Sequence, residues 1–192
     1  MKAPAQILLC SVSLVCIFLV TTDGQTRREP LNPVEIDKLR DAAQEPEARI
    51  KLFVQFARGR LASLEQVRAD ANVADRAQQT HDKLQNFLDV YDELNDNIDT
   101  FVDRKADLRK PLKAVIEADT EFQAKLRALK SSVGGGSEEA QKYQFLLDSA
   151  VDAVDGGAQD HRKLLSEQEE EFKHRKKQTQ QSQTVSGLQP TH

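Results

Sequence analysis

Cysteine is almost missing from this chain of 192 residues: Cys10 and Cys16 are the only two, and both lie in an N-terminal apolar run. Loss of that run leaves no thiol for a disulfide, a thiolate metal site or a nucleophile, so the remainder must be stabilised by its core. An excess of one charge is also lacking. The formal net charge of −4, from 27 basic and 31 acidic residues, excludes the strongly basic surface of a nucleic-acid binder, and no nucleic-acid partner is expected. No long hydrophobic run follows residue 20, so no stable membrane anchor is expected once the first segment is removed. Sustained apolar–polar alternation and Asn-Gly turns are missing too, which argues against strands.

Catalytic and cofactor motifs are equally scarce. There is no Gly-x-Ser-x-Gly turn. Gly134-Gly135-Gly136 has neither the flanking lysine nor the strand that a phosphate-cradling loop needs. His81, His161, His174 and His192 share no zinc-helix spacing. A di-iron bundle needs two Glu-x-x-His pairs and two further glutamates; one such spacing occurs, Glu171 to His174, inside a highly charged segment. The expectation is a non-enzymatic protein with no cofactor and no metal centre.

What is present begins with Lys2, the apolar run Ile7 to Val20, and the polar exit Thr21-Thr22-Asp23-Gly24-Gln25. A basic start, apolar middle and small-residue exit form the layout of a secretory signal peptide. The run of fourteen residues falls short of the roughly 20 that cross a bilayer as a helix. Cleavage after Gly24 is expected, with Thr22 and Gly24 at the small-residue positions. Leu9 and Val15 precede the cysteines, where a lipoprotein signal has a small residue, so lipidation is not expected. The reading is an exported protein, periplasmic or extracellular, divided into signal peptide (1–24), polar leader (25–32), helical bundle (33–177) and disordered polar tail (178–192).

The bundle is written in threes and fours. Asn32, Pro33 and Glu35 form a capping-box start, with Val34, Ile36 and Leu39 as the apolar face of a short helix. Pro46 opens a second helix over about 46–71, striped by Ile50, Phe53, Ala57, Leu64, Val67 and Ala71 and interrupted by Gly59. A third helix, about 75–104, carries Leu84, Phe87, Tyr91, Leu94, Ile98 and Phe101 in heptad-like rhythm, opened by Asp75 and Gln78. A fourth, about 108–132, carries Leu112, Val115, Phe122, Leu126, Leu129 and Val133, with Asp107 as cap. After a flexible triple-glycine loop, Ser137 caps a helix striped by Ala140, Tyr143, Leu147, Ala150 and Val154. Gly156-Gly157 is expected to break or kink it before a weaker continuation through His161, Leu164, Leu165 and Phe172. The fold class is therefore all-α: an antiparallel up-down bundle of about four long helices, with a short N-terminal helix and a C-terminal helical extension. Paired long coiled coils in a dimer are the alternative.

Two charged features stand out. Lys173-His174-Arg175-Lys176-Lys177 follows Glu169-Glu170-Glu171, an order that complements a helix dipole and reads as a solvated helix end. On the third helix, Asp89, Asp92, Asp96, Asp99 and Asp103 form a row at spacings of three and four, beside the outermost heptad position. Such neighbours stand about 5–6 Å apart, and each like-charge pair destabilises the helix by about 0.2–0.5 kcal/mol. The row is either a solvated face screened by neighbouring lysines and arginines, or a face that takes a cation or a basic ligand. The expected partner of the whole chain is a protein or a second copy of itself.

Overall fold

Asn32 and Glu35 close the first helix reciprocally: the Asn32 side chain accepts the Glu35 N–H at 3.0 Å, and the Glu35 carboxylate accepts the Asn32 N–H at 2.9 Å. This is the expected capping box, at the head of α1 (Pro33–Asp41). The computed structural model describes residues 29–133 and 137–186, with side chains to residue 180. The segment expected to be a signal peptide, half of the expected leader (25–28), the three glycines 134–136 and the end of the tail lie outside the described residues. The apolar face expected for α1 is corrected: Leu39 is buried, but Val34 and Ile36 are exposed and Glu35 is buried in their stead. The cause is Arg60, whose two terminal nitrogens reach the Glu35 carboxylate at 2.9 and 2.6 Å. A paired, fork-bound carboxylate can be buried where an unpaired one cannot.

α2 (Pro46–Ala69) starts on its proline and buries Ile50, Phe53, Val54, Phe56, Ala57, Leu61 and Leu64. It ends before Ala71, which is exposed. α3 (Arg76–Asp103) is capped by Asp75, and all six residues of its heptad-like seam are buried. α4 (Arg109–Ser132) buries Leu112, Val115, Phe122 and Leu126. α5 (Glu138–Gln141) is a single turn capped by Ser137, whose hydroxyl accepts the Ala140 N–H at 3.1 Å.

α6 (Gln144–Ser186) then runs unbroken for 43 residues. The break expected at Gly156-Gly157 does not occur. Two interior glycines cost about 1 kcal/mol each relative to alanine, and burial of Leu147, Ala150 and Val154 before them and Ala158 and His161 after them outweighs that. The helix also continues past Lys177 through Ser186, into the segment expected to be a disordered tail.

The described residues contain no strand, and the helices form a bundle. α2 packs chiefly on α3 and α4 on α6, α2 and α4 lie side by side, and of these four seams between long helices α3/α6 is the sparsest. Arg58–Glu121 and Glu65–Lys125 pairs show that α2 and α4 run parallel. α3 and α4, though consecutive, face each other across the core: the Phe87 and Phe122 rings meet edge to face at 5.4 Å. The connection between them crosses the end of the bundle, where the Gln168 side chain accepts the Leu108 N–H at 2.7 Å and donates to the Ala106 carbonyl at 3.2 Å. Each fully buried Leu, Ile or Phe contributes roughly 1.5–3 kcal/mol of transfer free energy.

Candidate functional site

Gly157 brings α6 against the Tyr91 hydroxyl of α3. A Cβ at position 157 would overlap the hydroxyl oxygen and stand 3.1 Å from the ring carbon that bears it. From there the Tyr91 hydroxyl donates to Oδ1 of Asp119 on α4 at 2.9 Å. Nδ1 of His161 on α6 donates to Oδ2 at 2.8 Å. Tyr91 and Asp119 are fully buried and His161 is 4% exposed. Burial pushes the Tyr91 phenol up, and the Asp119 charge adds to this. The network joins three helices through one carboxylate whose two oxygens are both satisfied, the condition under which a buried charge is tolerated. The helical reading of α4 passed over Asp119, although it lies four residues after Val115 and three before Phe122, on the buried stripe itself.

Over this network, α3 and α6 leave a groove of about 580 Å³. Asp92, Asn95 and Asp99 line it from α3, and Asp152, Asp160 and His161 from α6. The acidic row is thereby divided. Asp92 and Asp99, exposed like Asp96 and Asp103 in the row, border α6 and line the groove. Asp96 and Asp103 are exposed and stand off the groove, and half-buried Asp89 accepts a hydrogen bond from Gln85 at 2.7 Å. The second wall was missed in the sequence. Asp152 follows buried Val151 and Asp160 precedes buried His161, so both sit at the margin of the α6 stripe.

The charge balance here differs from that of the α2/α4 and α4/α6 seams. Arg58–Glu121 at 2.7 Å, Lys125–Glu65 at 2.8 Å and Lys110–Glu47 at 2.8 Å bridge α2 and α4. Arg127–Asp155 at 2.7 Å, Lys130–Asp148 at 2.6 Å and Lys113–Glu169 at 3.3 Å bridge α4 and α6. Among the described residues, Asp92, Asp99, Asp152 and Asp160 have no ion-pair partner, and the one lysine lining the groove, Lys163, pairs with Glu167 at 3.9 Å. Partial burial raises the Asp92 carboxyl above its ordinary range, helped by Asp89, Asp96 and Glu93.

One further acceptor lies in the α3 wall. Oδ1 of Asn95 is buried without a hydrogen-bond donor. His161, held by Asp119 through Nδ1, lines the α6 wall. The groove thus offers carboxylates and a buried amide oxygen that lacks a donor. No group of three or more His, Cys, Asp or Glu among the described residues is placed to hold a metal ion. The acceptors are spread along a groove, which suits several linked cationic donors better than one ion. No helix among the described residues is long and apolar enough to cross a membrane.

No family model, curated protein or solved structure matches this chain.

Proposed function

We propose that this chain is an exported, non-enzymatic helical-bundle protein that acts by protein contact, and that the α3/α6 groove takes a basic segment of its partner. The observation that carries this reading is the acid without an ion-pair partner on both groove walls, in a bundle whose α2/α4 and α4/α6 seams are bridged by opposite charges. Lysine or arginine side chains would relieve the repulsion along α3 and supply a donor to Asn95. Electrostatic capture of this kind is fast and salt-sensitive.

The reading is tested with the purified chain and a fluorescein-labelled oligolysine peptide. Saturable binding is expected, weakening as salt rises and lost in the Asp92→Asn, Asp99→Asn, Asp152→Asn, Asp160→Asn variant. Equal binding by that variant would overturn the groove as the site. Export is tested by the N-terminus of protein recovered from periplasm and medium. A start at Gln25 supports it, and full-length chain confined to the cytoplasm contradicts it.

A further inference from the structure

We infer that the basic segment is supplied by a second copy of this chain: the C-terminal arm of α6 of one molecule seats in the α3/α6 groove of the next. The inference rests on the groove reading above and names its occupant.

The arm is a product of unequal helix lengths. At 1.5 Å per residue, α6 is about 65 Å long while its packing partner α4, with 24 residues, is about 36 Å. The contacts between them end at the Lys113–Glu169 pair and at the Arg109 guanidinium, 3.5 Å over the Phe172 ring. From Lys173 to Gln180 every residue is exposed.

The arm also carries the missing charge. Lys173, His174, Arg175, Lys176 and Lys177 place basic groups on every face over about one and a half turns. Lys173 pairs with Glu170 at 2.7 Å. Arg175, Lys176 and Lys177 have no ion-pair partner within 4 Å among the described residues. Thus the same molecule holds four groove aspartates and three arm cations that form no ion pair within 4 Å, with Lys130 acting on Asp152, Asp107 on Arg175 and Glu170 on Lys177 only at longer range. Their dimensions match: Asp92 to Asp99 and Asp152 to Asp160 each span about 10–12 Å of helix, and Lys173 to Lys177 about 6 Å plus the reach of the lysines at both ends.

The contact cannot form within one molecule. One wall of the groove is α6 itself, and from Asp160 to Lys173 the helix runs on without a break for about 20 Å. The arm therefore points away from its own groove, and only another copy can use it. Because arm and groove are different surfaces, the contact is head-to-tail and propagates into a ring or a filament.

Sedimentation velocity over a concentration and salt series tests this. The parent is expected to associate as concentration rises and to dissociate in high salt. The arm variant (Lys173→Gln, Arg175→Gln, Lys176→Gln, Lys177→Gln) and the groove variant (Asp92→Asn, Asp99→Asn, Asp152→Asn, Asp160→Asn) are each expected to be monomeric. Mixed, they should form a one-to-one complex that grows no further, since each retains one half of the contact. Unchanged helical circular dichroism identifies variants that are folded. A parent that stays monomeric yet binds oligolysine overturns this inference and leaves the groove reading intact. Association that survives in the groove variant but not in the arm variant also overturns it, in favour of arm-to-arm pairing. Failure of both association and oligolysine binding removes the groove reading as well.

Discussion

Gly157 leaves room for Tyr91: the Tyr91 hydroxyl stands well inside van der Waals distance of the place a Cβ at position 157 would take. The adjacent Gly156 has nothing within 4 Å of its Cβ position, and neither has Gly59. Two neighbouring glycines in one helix thus have opposite roles, and only one is required by packing.

Gly157→Ala should lower stability by about 1–3 kcal/mol through overpacking. Gly156→Ala and Gly59→Ala should each raise it by about 0.5–1 kcal/mol, because alanine restricts the unfolded chain and meets no obstacle. Urea unfolding midpoints at constant slope measure all three. Adding Tyr91→Phe to Gly157→Ala should recover part of the loss, since the nearest clashing atom is then gone.

Asp119 is the shared acceptor of Tyr91 and His161. Asp119→Ala strands both partners in the core and should cost about 3 kcal/mol. Asp119→Asn keeps one acceptor oxygen and should cost roughly half as much. Equilibrium denaturation of the two variants checks the order; equal and small losses would mean that the network contributes little.

The acidic row should behave as stored repulsion. Neutralising Asp92, Asp96 and Asp99 to asparagine removes four like-charge contacts, which at about 0.2–0.5 kcal/mol each stabilises the chain by about 1–2 kcal/mol at low salt. The gain should vanish at high salt. The pH dependence has a definite sign. The folded-state Asp92 carboxyl lies above its ordinary value of 3.8, so the native state holds its proton more tightly than the unfolded chain. This site destabilises at neutral pH, and the penalty lifts as pH falls through the raised value. Thermal melts of parent and variant across acidic pH should converge.

Glu139 acts in the opposite direction. Hydrogen bonds from Arg76, and then from Arg68, hold its carboxyl at about 2, from an ordinary 4.5. Its contribution is present above pH 4.5 and is lost as pH falls toward about 2. The side chain is a third exposed, so solvent weakens the effect. Glu139→Gln should lower stability at neutral pH and flatten the acid limb of a melting-temperature profile, the two curves meeting at the acid end.

Much of the fold was legible because helices carry their own signatures. Asn32 with Glu35, Asp75 with Gln78, and Ser137 before two glutamates mark starts through local hydrogen bonds alone. Leu84 through Phe101 mark the buried side of α3 because one helix face faces one core. The errors have a common origin. Glu35 is buried only because Arg60, twenty-five positions away, binds it. Gly156-Gly157 resembles a stop, yet α6 runs through because neighbours on α3 and α4 hold it. The acidic row is exposed as its pattern implies, and what the pattern along α3 does not show is that α6 sets Asp152 and Asp160 across the groove from Asp92 and Asp99.

The sequence by itself determined the helical class, the caps, the stripes, and an excess of aspartate on one helix. These depend on neighbours within about one turn and on the 3.6-residue period. Only the tertiary structure decided that α3 and α4 lie across the core from each other, that Tyr91, Asp119 and His161 meet, and that a second acidic wall faces the first. Those relations join residues 28 to 70 positions apart, and which side chains meet over such distances is set by how the helices pack, not by the pattern along any one of them.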